Sequence, residues 1–296
     1  MKSLFLTGGS GFVGSNLIKL FYSIYEIVSY KKGTLVEVAQ DVVIHLAGKA
    51  HDLKKVASSD EYYKVNTELT REIFDAFLAS KAKVFITLTS VKAIADEVEG
   101  ELSEEVTPNP ITHYGKSKLL AEQHILSQLI PEGKRVYILR PCMIHGPGNK
   151  GNLNMLYSLV SIGLPWPLGS FENSRSYLSL ENLCFIIKEL IEREDIPSGV
   201  YNVADDVPLS TNDVIKMIAE SKGKKAWILN LSKNIIKVLA RVGDLLKLPL
   251  NSERLQKLTE SYIVTNAKIK AALSKQLPVS SEEGLMRTFK SFADNV

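Results

Sequence analysis

Leu4-Phe5-Leu6-Thr7-Gly8-Gly9-Ser10-Gly11-Phe12-Val13-Gly14 is an apolar run that leads directly into a glycine-rich turn. A strand entering such a turn and leaving into a helix presents free backbone N–H groups and the positive end of the helix dipole, a seat for a pyrophosphate. Each glycine has a steric task there: Gly8 for the tight turn, Gly11 for close approach of the phosphates, Gly14 for packing of helix on strand. The stretch predicts a bound dinucleotide at Gly8, Gly11, Phe12, Val13 and Gly14. Short glycine patterns also occur in loops that hold nothing, so the rest of the chain must decide.

Outward from this turn, apolar strand candidates recur at 4–6, 26–30, 42–46, 84–89, 136–139 and 200–203. Helical patterns lie between most of them. Ser59-Asp60 is placed to cap a helix whose apolar face holds Tyr62, Val65, Leu69, Ile73, Phe77 and Leu78, and 114–129 reads as a second long helix ended by Pro131. Strands alternating with helices imply an α/β fold, a doubly wound, Rossmann-like parallel sheet covered on both faces. One rung is short. Only 31–40 separates the second strand from the third, barely enough for a crossover, which predicts a bare loop or a single turn and an open adenine end. From Gly146 the texture shifts to Gly, Pro and Asn, and after Asp205 short helices take over. The expected organisation is a dinucleotide-binding domain of residues 1–147 plus about 177–204, and a smaller substrate domain of 148–176 plus about 205–296.

Composition narrows the partners. The 36 Lys+Arg against 33 Asp+Glu leave a net charge of +3, no footprint for nucleic acid. Cys142 and Cys184 offer neither a disulfide framework nor metal-ligand spacing, so no metal is expected and the cytoplasm is the expected location. No apolar run reaches the ~18 residues of a spanning helix, and integral membrane association is not expected. The segment 235–248 is amphipathic and basic. It reads as a helix packed on its own domain with a solvated basic edge, contact with a membrane surface being the alternative.

Tyr114-Gly115-Lys116-Ser117-Lys118 sets a phenol and an ammonium at i and i+4, on one face of a helix. A cation at Lys118, joined by the positive ring of an oxidised nicotinamide, is expected to draw the phenol below its ordinary ~10, so that Tyr114 takes or returns a hydroxyl proton. The strand ending Thr87-Leu88-Thr89-Ser90 puts hydroxyls at the carboxyl edge, where a substrate oxygen would sit.

Taken in order, these motifs resemble the extended short-chain dehydrogenase/reductase family, and within it the nucleotide-sugar epimerases, dehydratases and reductases. The resemblance rests on Thr7 to Gly14, Val43-Ile44-His45-Leu46-Ala47-Gly48, 63–66, Thr89-Ser90, Tyr114 to Lys118, and Leu139-Arg140-Pro141 leading into Gly146-Pro147-Gly148. It implies that Ser90 orients a sugar hydroxyl or ketone, Tyr114 is the acid/base and Lys118 holds the nicotinamide ribose, with Leu46, Ala47, Gly48 and Pro141 beside the cofactor. On the substrate side it implies Lys49, Asn66, Ser90, Asn152, Arg175 and Arg254. Asn66 supports the site, while Asn152, Arg175 and Arg254 meet the diphosphate of a nucleotide sugar, a UDP-sugar being favoured. It also implies a homodimer through the helices at 62–80 and 114–129. His145 is read as a packed residue, and Lys49, Ile94, His113 and Trp166 as candidates to set pocket size.

Two departures bear on function. Where an NAD enzyme places an acid for the adenine ribose, this chain has Tyr30-Lys31-Lys32; NAD is still the expected cofactor, and NADP is open because Lys31 and Lys32 replace the acid. Where 4,6-dehydratases carry Asp-Glu, this chain has Val91-Lys92, which disfavours dehydration. What remains is a 4-epimerase or an NADPH-dependent 4-keto reductase, bacterial polysaccharide-pathway members having both activities; a catalytically idle sugar-nucleotide sensor is the reading from another class.

Overall fold

The computed structural model describes residues 1–49, 58–149, 151–247 and 251–293. Its strands are β1 (Ser3–Thr7), β2 (Glu26–Ser29), β3 (Val42–His45), β4 (Val84–Leu88), β5 (Glu101–Leu102), β6 (Arg135–Pro141), β7 (Met143–His145), β8 (Tyr177–Ser179), β9 (Gly199–Val203) and β10 (Ile263–Val264). Six of them form one parallel sheet in the order β2-β1-β3-β4-β6-β9, while β5 pairs with β10 and β7 with β8. All six expected strands belong to the large sheet. β3 is buried along its whole length and β2, at the edge, is mostly exposed, as the apolar continuity of Val42 to Ile44 and the charged start of β2 dictate.

The helices are α1 (Phe12–Phe21), α2 (Ser59–Tyr62), α3 (Leu69–Ala79), α4 (His113–Leu126), α5 (Asn152–Ser161), α6 (Leu180–Glu192), α7 (Thr211–Ser221), α8 (Lys233–Leu246), α9 (Ser252–Thr259), α10 (Ala267–Leu273) and α11 (Ser281–Ala293). One core joins α1 and α6 to a face of the sheet through Leu17, Phe21, Leu183 and Ile187; the other joins α3 and α4 to the opposite face through Ile73, Phe74, Phe77 and Ile125. These two cores make the fold doubly wound.

The expected helix from Ser59 is interrupted. Between α2 and α3 the residues Tyr63–Glu68 form a π turn, a widening of the i→i+4 ladder common at functional sites. α4 stops at Leu126, short of Leu129, where Ser127 turns its hydroxyl onto the His124 carbonyl. The short rung is as expected: no helix stands between β2 and β3 among the described residues, and Lys31 to Thr34 close a turn through the Thr34 N–H and hydroxyl on the Lys31 carbonyl.

Beyond β7, α6 and α10 join the sheet core, α10 through Ile269 and Leu273, whereas α5, α7, α8, α9 and α11 build cores of their own. Leu153, Tyr157, Val214, Phe289 and Phe292 pack together, as do Trp166, Leu168, Ile215, Ile236 and Ala240. No helix among the described residues is long and apolar enough to cross a membrane.

Candidate active site

The glycine turn lies where β1 and β3 part, since the chain goes from β1 to β2 on one side and then to β3 on the other. Ligands in open α/β sheets bind at the carboxyl ends of such strands. Gly8 has φ +73°, and a methyl there would come 2.6 Å from the Ala47 nitrogen. At Gly14 a methyl would come 2.2 Å from the Gly8 carbonyl oxygen. Turn and helix therefore close only with these two bare. Gly11 caps α1 without a side chain to accept from the first N–H groups, and the first turn of α1 carries no acid. Those N–H groups have no partner within the helix, so Phe12, Val13 and Gly14 offer an anion seat that fits a dinucleotide pyrophosphate.

Beside the turn, Thr7 accepts the Ala47 N–H and meets His45 Nδ1 at 2.7 Å, while His45 Nε2 meets Thr70 at 2.9 Å. Burial, reinforced by the Lys118 charge, pulls the imidazole down to about 3, so it is a neutral link between β1, β3 and α3. Leu46, Ala47 and Gly48 leave β3 along this wall, and Pro141 ends β6 opposite Val203.

The structure brings the three expected catalytic residues together. Ser90 follows β4 and caps a short 3-10 turn, accepting the Lys92 N–H at 3.2 Å. Its hydroxyl is hydrogen-bonded to the Tyr114 phenol. Tyr114 stands on the first turn of α4, edge-on to Tyr62 at 6.2 Å. One turn on, Lys118 donates to the Leu88 carbonyl at 3.1 Å. Gly48 faces that ammonium so closely that a methyl there would lie 2.9 Å from Nζ.

Their titration departs from the sequence expectation. Burial raises the Tyr114 phenol above its ordinary value, the Ser90 hydrogen bond pulling partly back, and burial draws the Lys118 ammonium down to about 8. The protein by itself holds Tyr114 protonated. Lys118 is not among the groups that move the phenol: in the protein without cofactor, desolvation outweighs the Ser90 hydrogen bond.

Two residues to which the sequence reading gave no role lie beneath this trio. Glu122 forms a buried ion pair with Arg140, with contacts of 2.6 and 3.1 Å, and accepts from the Thr89 hydroxyl. The signal was present: Tyr114, Lys118 and Glu122 repeat at i+4, a polar stripe on the buried side of α4.

The substrate-side residues fall into three groups. Asn66 is fully buried, its amide donating to the Lys49 carbonyl and Ser117 and accepting the Lys49 N–H at 2.8 Å. It holds the loop after β3 against α4. Lys49 itself forms an ion pair with Glu61. Arg175 donates to the Lys257 carbonyl and pairs with Glu260 at 3.2 Å. Its neighbour Lys92 donates to the Asp96 carbonyl and stands 4.1 Å over the Tyr262 ring. Arg254 is exposed on α9, and Asn152 opens α5, its side chain outside the described part. Lys31 and Lys32 are exposed beyond β2.

Of the pocket-size candidates, Ile94 and Trp166 belong to apolar cores, whereas the Tyr63 hydroxyl meets His113 at 3.1 Å. His145 is packed, with Nδ1 2.9 Å from Thr288 and Nε2 3.5 Å from Asp205. Cys142 and Cys184 are free thiols, both pushed up by burial. No cluster of metal-ligating side chains occurs among the described residues.

Residues 4–204 match the model of the NAD dependent epimerase/dehydratase family. The UDP-glucose 4-epimerase of Vibrio cholerae is 30% identical, over 98% of this chain and 95% of its own. Among solved structures, the UDP-glucuronic acid 4-epimerase from Bacillus cereus in complex with NAD superposes with a TM-score of 0.75 at 19% identity, covering 99% of each chain. RMD from Pseudomonas aeruginosa complexed with NADPH superposes at 0.75 and 20% identity, over 100% of this chain and 99% of that one.

Proposed function

The chain belongs to the NAD-dependent epimerase/dehydratase family, and on that premise we propose that it is a nucleotide-sugar 4-epimerase. The observation that carries this reading is the pairing of Ser90 with Tyr114 beside Lys118, followed at 91–92 by valine and a lysine committed to Asp96 and Tyr262. The site has one acid/base group for one hydroxyl. It lacks the adjacent acid pair an elimination of water needs.

Gly8, Gly11, Phe12, Val13 and Gly14 hold the pyrophosphate, and Leu46, Ala47, Gly48 and Pro141 line the path to the nicotinamide. When bound, the oxidised nicotinamide supplies a hydride acceptor at the sugar C4 and a positive charge that draws the buried phenol toward phenolate. Ser90 fixes the C4 oxygen by hydrogen bonding. Tyr114 takes the C4 hydroxyl proton and, after the 4-keto sugar has turned its other face, returns it. Lys118 donates to the cofactor ribose and keeps the phenol in line. Arg175, with Asn152 and Arg254 in support, receives the diphosphate of a UDP-sugar once Arg175 exchanges Glu260 for the ligand. Residues 1–147 and 177–204 act as the dinucleotide domain, and 148–176 with 205–296 as the substrate domain. Leu120 and Leu126, exposed on α4, support a homodimer through that helix and α3.

The second reading, a 4-keto reductase, is favoured by the exposed Lys31 and Lys32, which suit a 2′-phosphate. Denaturing freshly purified protein and identifying the released nucleotide separates the two. Retained NAD⁺ is the expected result, because an epimerase regenerates its cofactor each cycle; an empty site that then binds NADPH overturns the epimerase reading.

A further inference from the structure

The second part of the chain carries a surface that the proposed reaction does not use. Of the fourteen residues of α8 only Ile236, Ala240 and Gly243 are buried. The helix rests on its core through one narrow line. Ile235, Val238, Leu239, Val242, Leu245 and Leu246 stay in solvent, Leu245 at 83% exposure and Leu246 at 65%. At 100° per residue they occupy one continuous arc, and Lys233, Lys237 and Arg241 occupy the arc beside it. A buried helix would turn such a ridge inward.

Charge is concentrated in the same region. Residues 222–247 contain seven cations and a single acid, whereas the rest of the chain carries 29 cations against 32 acids. That acid, Asp244, is occupied by the N–H and hydroxyl of Ser252 at the start of α9. The seven cations are exposed, and none pairs with a carboxylate among the described residues. Trp227, at 64% exposure, stands in the approach to α8 after Lys222, Lys224 and Lys225, in the amphipathic role such rings take at a membrane interface.

We propose that α8, with Trp227 and the lysines before it, docks the protein on the surface of an anionic phospholipid bilayer. The apolar ridge would enter the headgroup boundary and the flanking cations would meet lipid phosphates. A second copy of this chain fits the face less well. A symmetric self-contact would set seven cations against seven. The docking helix also borders the cleft, because α8 packs on α9, and Arg175 is held by the Lys257 carbonyl of α9. The cleft would thus open near the membrane surface.

The test is co-sedimentation of the full chain with vesicles of equal phosphatidylglycerol and phosphatidylcholine, against vesicles of phosphatidylcholine alone. Binding about tenfold tighter to the anionic vesicles is expected, falling as salt rises. The double variant Val238→Asp with Leu245→Asp should lose that binding while keeping the melting temperature and NADH affinity of the parent protein, and Lys237→Glu with Arg241→Glu should lose it too. The proposal is overturned if the parent protein fails to sediment with anionic vesicles at low salt. It is equally overturned if sedimentation velocity finds an assembly that the first double variant breaks, which would make the ridge a self-association face.

Discussion

The two ends of the cofactor cleft are built in opposite ways. At the proposed catalytic end buried polar groups are tied to fixed partners: Asn66 clasps Lys49 and Ser117, His45 bridges Thr7 and Thr70, and Glu122 ties Arg140 to Thr89. At the proposed adenine end an exposed edge strand runs into a four-residue turn with Lys31 and Lys32 in water. A satisfied buried network holds reacting groups in one geometry and makes each substitution costly. An open turn can change its residues without disturbing the sheet. The family resemblance is correspondingly strong where the protein is dense and departs from pattern where it is thin.

The contrast breaks most decisively at Tyr114. Tyr114→Phe removes the proposed acid/base group and leaves the ring, so turnover should fall about 10²–10⁴-fold while NADH binding, followed by fluorescence titration, stays within about twofold. Turnover within tenfold of the parent enzyme would falsify the assignment.

The desolvation of Lys118 sharpens the same contrast through pH. Its ammonium ordinarily titrates near 10.5 and is held at about 8 in the folded protein. Below pH 8 both states carry the proton and the buried charge costs the folded state in full. Between 8 and 10.5 the unfolded chain keeps a proton that the folded chain has released, so this contribution to stability rises with pH, by about 3 kcal/mol in all. Urea denaturation of the cofactor-free protein from pH 7 to 10 should show the parent gaining on Lys118→Met across that window. Parallel pH profiles would remove the desolvated ammonium from the account.

The smallest effect is expected at the open end. Lys31→Glu should weaken NADP about three- to tenfold and NAD less than twofold, because one solvated cation contributes little even to a phosphate. Equal losses for the two nucleotides would show that Lys31 does not face the 2′ position.

Much of this arrangement was legible in the sequence, and the part that was not has physical reasons. Strands buried on both faces announce themselves as apolar runs, and the glycine turn and the Tyr114/Lys118 pair are local patterns. The Glu122–Arg140 pair joins α4 to β6 across the fold, so spacing along the chain reveals only one partner. The direction of the Tyr114 shift depends on burial, which a sequence does not display. For α8, periodicity reveals an apolar arc but not which way it points; only the narrow seam of Ile236, Ala240 and Gly243 shows that most of it faces outward.

The π turn at Tyr63–Glu68, set between α2 and α3, separates two kinds of constraint. The extra residue acts as a phase shifter: α3 keeps Ile73, Phe74 and Phe77 in step with the sheet, while Asn66 is rotated to face Ser117 and the Lys49 backbone. Packing and catalysis are thus set on separate angular clocks. The core of α3 can drift in sequence without carrying the asparagine with it, but neither a residue gained nor a residue lost within the turn leaves both in time.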